Sequence, residues 1–383
     1  GPGMLAVING KIITMEGKTY QKGAILIDQG KIMAIGDNVL VPKGVDIINA
    51  CGKLVLPGLI DAHCHLGILE EIYQIEGNDV NETTNPITPH LRALDGINPE
   101  DQGFLDAVRA GVTTVGITPG SANVIGGQVV VMKTWGHVVD RMVVKEPAGL
   151  KIAFGENPKR SYGEQKKAPS TRMATAGFLR ETFVKAQNYA STPQEKDITL
   201  EPVVKVLKKE MAIYAHAHRA DDIMTAVRIA QEFNMPLIIL HGTESHKIAD
   251  ELAQRNIPVI SGPHFANRAK VEMKDKTWRT PAILAQAGVK VALMTDHPVL
   301  PIQYLPLCAA FAHRAGLSEE NALKAITINA AEILGISHRV GSLAEGKDAD
   351  IIISNGSILS TEAIVETVII NGQVVYQDMG QPA

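Results

Sequence analysis

A chain of 383 residues that is 45% hydrophobic and 20% charged can bury a large core, and its length suits one big catalytic domain with a small accessory one. Thirty-seven Lys and Arg against 41 Asp and Glu give a formal charge of −4 with no long basic or acidic block, so neither nucleic acid nor an anionic membrane is an expected partner. The three cysteines, Cys51, Cys64 and Cys308, are scattered and make no disulfide framework; no signal peptide or long apolar run is present, and a reduced, cytoplasmic setting is expected.

Residues 4–56 read as short strands divided by turns, such as Leu5-Ala6-Val7-Ile8 before Asn9-Gly10 and Ala24-Ile25-Leu26-Ile27 before Gln29-Gly30. The same texture returns at Ala349–Ile353 and Thr367–Val375, the latter turning at Asn371-Gly372. The simplest account is one small β-sandwich domain built from residues 1–56 and 346–383, with a large domain, 57–345, inserted between them. Two separate terminal caps are the alternative, each very small.

Between 57 and 345 strands alternate with helical stretches, the pattern of an α/β domain with parallel strands. Eight strands are expected: Leu59–Cys64, Thr113–Thr118, Gln128–Met132, Leu150–Gly155, Ala212–Ala215, Leu237–Leu240, Pro258–Gly262 and Lys290–Thr295. Eight such units predict a (β/α)8 TIM-type barrel, with a doubly wound open sheet as the fallback. Residues 67–99 and 156–199 are longer than ordinary connections and are expected as loops over the substrate.

The strand ends carry the chemistry. Asp61, His63 and His65 share one face of the first strand, because side chains two apart in a strand point the same way. The fourth strand ends at Glu156, the fifth at His216 with His218 two residues on, the sixth at His241 and the eighth at Asp296. One such residue is ordinarily a polar surface group or a helix cap; the same position filled repeatedly with metal-ligand types points to one or two divalent cations. Zn²⁺ heads the candidates, with Mn²⁺, Fe²⁺ or Co²⁺ as alternatives. A cation held by His and carboxylate activates water and polarises a carbonyl, with Asp296 taking the proton and passing it to the leaving nitrogen.

The stretch Val55-Leu56-Pro57-Gly58-Leu59-Ile60-Asp61-Ala62-His63-Cys64-His65, together with Thr327-Ile328-Asn329-Ala330-Ala331 and Gly341–Asp350, resembles the amidohydrolase superfamily, most of all its imidazolonepropionase-like and metal-dependent peptidase-type branch. The resemblance implies that His63, His65 and Asp296 hold the more buried metal, that His216 and His241 hold a second, and that Glu156 bridges the two. Many members of the superfamily use a carbamylated lysine at the bridge. Lys133, Lys151 and Lys159 are near, but Lys151 reads as lying at the wrong end of its strand and Lys133 as ending the third, so Glu156 is preferred. The family also favours the first histidine of His216-x-His218 as ligand, which leaves His218 to touch substrate.

Further substrate contacts are expected from His264 after the seventh strand and from Lys159-Arg160-Ser161-Tyr162 and Arg172 in the long fourth loop. Arg160 and Arg172 would clamp a substrate carboxylate. Gln128, after the glycines at 126 and 127, is placed near substrate; His297, next to Asp296, backs the site or touches substrate, and Tyr73 and His90 in the first loop are lid candidates. The expected activity is metal-dependent hydrolysis of an amide or cyclic-amide C–N bond in a small molecule or small peptide-like substrate. A deaminase acting on a ring amidine and a scaffold that has lost catalysis are the rivals. Homo-oligomers are compatible with this reading.

Overall fold

The computed structural model describes residues 3–71, 75–265 and 270–378. Strands from the two ends of the chain meet in one sheet. From the N-terminal side come β1 (Leu5–Ile13), β2 (Thr19–Asp28), β3 (Lys31–Gly36), β4 (Asp46–Asn49) and β5 (Leu54–Pro57). The barrel strands follow: β6 (Leu59–Cys64), β7 (Val112–Ile117), β8 (Ile125–Lys133), β9 (Val143–Ala153), β10 (Ala212–Ala217), β11 (Leu237–His241), β12 (Val259–Ser261) and β13 (Val291–Leu293). The C-terminal strands are β14 (Ile351–Ser354), β15 (Val365–Ile370) and β16 (Gln373–Gln377). β14 pairs with β5, so the terminal sheet runs β16-β15-β14-β5-β1-β2-β3, with β4 on β1. Val7, Ile12, Ile25, Val55, Ile351 and Ile369 belong to an apolar core of its own.

The second sheet runs β6 to β13 in chain order and closes nearly into a barrel. The seam between its outermost strands is bridged by His65 N–H to His297 O (2.9 Å), Asp296 N–H to His63 O (3.2 Å) and the Thr295 hydroxyl to buried Asp61 (2.5 Å).

One expected feature is corrected. β8 runs antiparallel to both β7 and β9, where an all-parallel barrel was expected. The physical reason is chain length: residues 118–124 and 134–142 are too short for the dozen or more residues that a parallel crossover needs. Reversal sends Lys133 to the end of the barrel away from the candidate site. There Lys133, 2% exposed, donates to Asp348 (3.1 Å), Asp350 and Asn371 (3.0 Å), and Arg339 and Lys31 also pair with Asp348. This buried charge network fastens the barrel to the segment leading into the terminal sheet. Asp348 feels a burial penalty, but its three cations outweigh it and hold its carboxyl at about 2.

The segment after β9 is also more ordered than expected. Helices α1 (Gln102–Arg109) and α2 (Val139–Met142) precede it, and where a long loop was expected stand α3 (Glu156–Gly163) and α4 (Arg172–Ser191). The Thr171 hydroxyl caps α4 by accepting from Ala174 N–H at 3.0 Å. On β9 and β10, Leu150, Ile152, Ile213 and Ala215 pack outward with Leu179, Phe183 and Ile223. The alternate positions therefore point into the barrel.

Candidate metal centre

Two groups of ligand-type side chains stand at the mouth of the barrel. His63, His65 and Asp296 form one, and His216, His218 and His241 the other; within each, one potential ligand atom per residue lies within 4.8 Å of the rest. Asp296 Oδ1 is 3.0 Å from Nε2 of both His63 and His65. The groups adjoin, since the His63 and His241 rings are 5.4 Å apart and the His241 and His216 rings 4.7 Å. Local backbone makes this possible. His241 and Asp296 both have positive φ, 71° and 56°, a left-handed turn that costs roughly 1–3 kcal/mol for such residues and is found where function over-determines it.

Each imidazole is oriented from behind. His65 Nδ1–H donates to Thr118 O (2.7 Å) and His241 Nδ1–H to Gly262 O (2.8 Å), which leaves the Nε2 lone pair of both rings for a ligand role. His63 Nδ1 lies 3.1 Å from the Thr118 hydroxyl, and His218 Nδ1 lies 2.6 Å from that of Thr243. Burial drives His63 to about 3 and His241 to about 4, and His216 and His218 well below their usual range, so all four rings stay neutral, the form that binds metal. Burial pushes Asp296 the other way, but the imidazoles of His63, His65 and His241 crowded around it outweigh burial and keep its carboxyl well below the usual value. Asp61, raised to about 7 by burial, does not join either group; it fastens β6 to Thr295.

The donor set fits a divalent cation. Among the described residues the buried His216 Nδ1 has no hydrogen-bond partner, a cost that a cation between His216, His218 and His241 would remove. Both groups open on a cavity of about 410 Å³.

Lys151 lines the same cavity. It occupies the barrel-facing position between outward Leu150 and Ile152, in register with Tyr214, and its Nζ donates to Pro119 O at 3.0 Å. Burial lowers its ammonium to about 8. The expectation that Lys151 lies at the wrong end of its strand is thus corrected: β9 ends at Ala153, two residues earlier than expected, and Lys151 is within reach of the mouth. The signal was a single charge inside the apolar run Gly149-Leu150-Lys151-Ile152-Ala153-Phe154.

The other expected contacts fall elsewhere. Glu156 sits in the first turn of α3, beyond Gly155 (φ 86°), outside both ligand groups; its Oε2 accepts from Glu272 N–H, and its own N–H donates to Glu272 Oε2, each at 2.9 Å. Arg172 pairs with Asp222 (3.0 Å) and lines a different cavity, while Arg160 is exposed, with Glu156 at 3.8 Å. Tyr162 is fully buried. Gln128 donates to Pro89 O (3.0 Å), bracing the loop before α1. His264 packs against Trp278 and lies 3.1 Å from the Ser261 hydroxyl, and none of these six side chains lines the metal cavity. His297 accepts from Ile302 N–H with Nδ1 and faces Glu71 at 3.5 Å. Half-buried His90 has a buried Nδ1 with no partner among the described residues and lies outside the cavity lining; Tyr73 lies outside the described residues. Among the cavity residues that sequence reasoning missed are Lys270 and Lys276, in the segment before the helix Thr280–Ala287. Nothing in their local sequence distinguishes them from surface lysines.

Comparison with known proteins agrees with this architecture. A profile of the Amidohydrolase family matches residues 54–375. The amidohydrolase tasK of Hapsidospora irregularis is 28% identical over 94% of this chain, which spans 41% of that protein's length. The imidazolonepropionase of Phocaeicola vulgatus is 25% identical, with 91% of this chain and 92% of that one covered. Among solved structures, an amidohydrolase from Thermotoga maritima MSB8 superposes with a TM-score of 0.95 at 44% identity, covering 98% of this chain and all of that one. With the family profile running from β5 through β15 and the barrel mouth between them built of histidines and a carboxylate, the chain belongs to the amidohydrolase superfamily, in its imidazolonepropionase-like branch.

Proposed function

We propose that the protein is a metal-dependent hydrolase that cleaves an amide or cyclic-amide C–N bond in a small molecule or small peptide-like substrate. The observation that carries this reading is the pair of ligand groups opening on one cavity, with Lys151 inside it. His63, His65 and Asp296 would hold one cation and His216 and His241, with His218 beside them, a second. Lys151, as a carbamate, is the bridge this geometry favours over Glu156, whose carboxylate is occupied by the Glu272 backbone. Zn²⁺ is the first candidate, and the cation supplies an acidified water and a polarised carbonyl.

The side chains divide the remaining work. Water adds to the carbonyl carbon while a carboxylate oxygen of Asp296 takes its proton. Asp296, kept ionised by its imidazole neighbours, then delivers that proton to the nitrogen as the C–N bond breaks. The products are a carboxylate and an amine, or a ring-opened amide acid. Thr118, Thr243 and Gly262 O hold the rings still during turnover. The terminal sheet, read as a small β-sandwich, acts as a brace at the far end of the barrel.

The test is metal analysis of the purified protein followed by a screen of N-acyl amino acids, dipeptides and cyclic amides with Zn²⁺, Mn²⁺, Fe²⁺ or Co²⁺ supplied. Turnover that disappears on chelation and returns with metal supports the reading. Metal binding without turnover of any C–N substrate favours the scaffold alternative and refutes it.

A further inference from the structure

We propose that Asn157, steadied by Ser121, fixes His216 as the Nε2–H tautomer and so presents its Nδ1 lone pair to the cation that the second ligand group would hold. Asn157 is thereby a positioning residue for the metal centre. This rests on the metal-dependent reading above and deepens it at one ligand.

The neighbouring rings are set the opposite way. His65 and His241 each commit Nδ1–H to a backbone carbonyl, at 2.7 and 2.8 Å. His216 is different: among the described residues its buried Nδ1 has no partner, while its Nε2 lies 3.4 Å from the Asn157 side-chain amide. A neutral imidazole carries one N–H and one lone pair, and the groups its nitrogens meet decide which is which. An N–H at Nδ1 would be a buried donor left unpaired, at a cost of roughly 1–3 kcal/mol. An N–H at Nε2 needs an acceptor, and Asn157 has one.

The contacts of the amide say which of its ends faces the ring. A half-turn exchanges the amide oxygen and nitrogen in nearly the same positions, so hydrogen bonding assigns them. The amide atom nearest His216, assigned as Nδ2, is also 2.6 Å from the Ser121 hydroxyl oxygen. That separation is shorter than the ordinary N–H···O range and normal for O–H···O. With Oδ1 there instead, the oxygen accepts from both Ser121 O–H and His216 Nε2–H. With nitrogen there, His216 has to carry its proton on Nδ1, where no described residue receives it.

The fold aims Asn157 at this ring. Phe154 N–H donates to His216 O at 2.9 Å, which keeps the end of β9 against β10 up to the ligand. Gly155 then turns the chain, and the reciprocal Glu156–Glu272 bonds, both 2.9 Å, clamp the first turn of α3. Asn157 follows directly and lines the metal cavity together with Ser121. Glu156, expected as a metal bridge, therefore acts one residue away from the ligand set, by holding the backbone that presents Asn157.

Two readouts test the inference, and neither uses turnover. In metal-free protein labelled with ¹⁵N at the histidine rings, with H216A as the assignment reference, His216 should show a protonated Nε2 and a bare Nδ1, and His65 and His241 the reverse. A His216 ring protonated at Nδ1 overturns the inference. In Zn²⁺ equilibrium dialysis, the equivalent that H216A abolishes should bind about 10- to 100-fold more weakly in N157L and less weakened in S121A. N157D keeps an oxygen that accepts from Nε2–H and should retain that equivalent. Circular dichroism establishes that each variant is folded; should N157L not fold, the wild-type spectrum and the N157D isotherm decide. N157L binding as tightly as wild type, N157D binding as weakly as N157L, or a wild type with no such equivalent overturns the inference. A protein that passes both readouts yet hydrolyses no C–N substrate defeats the hydrolase reading alone.

Discussion

Replacing Lys151 with Met separates stability from function at the centre of the site. The Lys151 side chain is 1% exposed, its one hydrogen bond goes to a backbone carbonyl, and among the described residues no carboxylate lies within ion-pair distance of it. Lowering its ammonium from 10.5 to about 8 corresponds to a cost of about 3 kcal/mol for holding the charge in the folded protein. Methionine has nearly the same length and no charge to desolvate, so K151M should raise the stability of metal-free protein at pH 7 by about 1–3 kcal/mol, part of the gain being lost to imperfect packing. The pH dependence follows from the direction of the shift. Below pH 8 the folded and unfolded chains both carry the proton and the penalty is complete. Between about 8 and 10.5 the unfolded state binds more protons, so wild-type stability rises with pH and the K151M advantage shrinks. Urea unfolding of both metal-free proteins at pH 7 and at pH 9.5 reads this directly. A K151M protein less stable than wild type at pH 7, or an advantage that grows with pH, would refute the account of Lys151 as a charge kept at a cost for its chemistry.

In metal-loaded protein supplied with ¹³C-bicarbonate, wild type should show a carbamate carbon resonance that K151M lacks. D296N should lower kcat by about 10²- to 10⁴-fold while His216, His218 and His241 still bind metal, as measured by turnover alongside metal analysis. Chelator-stripped protein should gain about 2.7 kcal/mol of unfolding free energy when Zn²⁺ is added to 100 times its dissociation constant, and the double variant H216A/H241A should gain distinctly less, by calorimetry. At the far end of the barrel, K133M leaves Asp350 buried without its cation, and a loss of roughly 3–5 kcal/mol in urea unfolding is expected.

The gross architecture was legible because it rests on short-range patterns. The run Leu59–Cys64 ends against His65 as expected, since a short, largely apolar run after a Pro-Gly turn that closes in His-x-His reads as a buried strand. Strand direction was not legible in the same way: Gln128-Val129-Val130-Val131-Met132 has the same alternation whichever way it runs. Only the short connections on either side carry that information. With β8 reversed, Lys133 at its C-terminal end lies far from the mouth, and Gln128 near its start braces a loop. His241 and Asp296 were found by position, although neither apolar periodicity nor propensity predicts the left-handed backbone that each adopts.

The positions of Glu156 and Lys151 show what one misplaced strand end does. Side chains alternate, so residues separated by an odd number of positions face opposite ways while the strand lasts. Leu150 and Ile152 pack outward on the helices, which puts Lys151 and Ala153 inside; Glu156 would need an unbroken strand and an even spacing from Lys151 to join them, and has neither. Gly155 turns the chain into α3, and the Glu156 carboxylate leaves the mouth to hold the Glu272 backbone. A charge-bearing side chain was sought on this strand, with ionisation state weighed ahead of parity. A carboxylate needs no modification to bind a cation, whereas a lysine must first lose its proton, and burial at Lys151 is the factor that makes that loss accessible near neutral pH. Burial is a tertiary property, written jointly by Leu150, Ile152 and the helices that cover them, and so it could enter only once the barrel was closed around the residue.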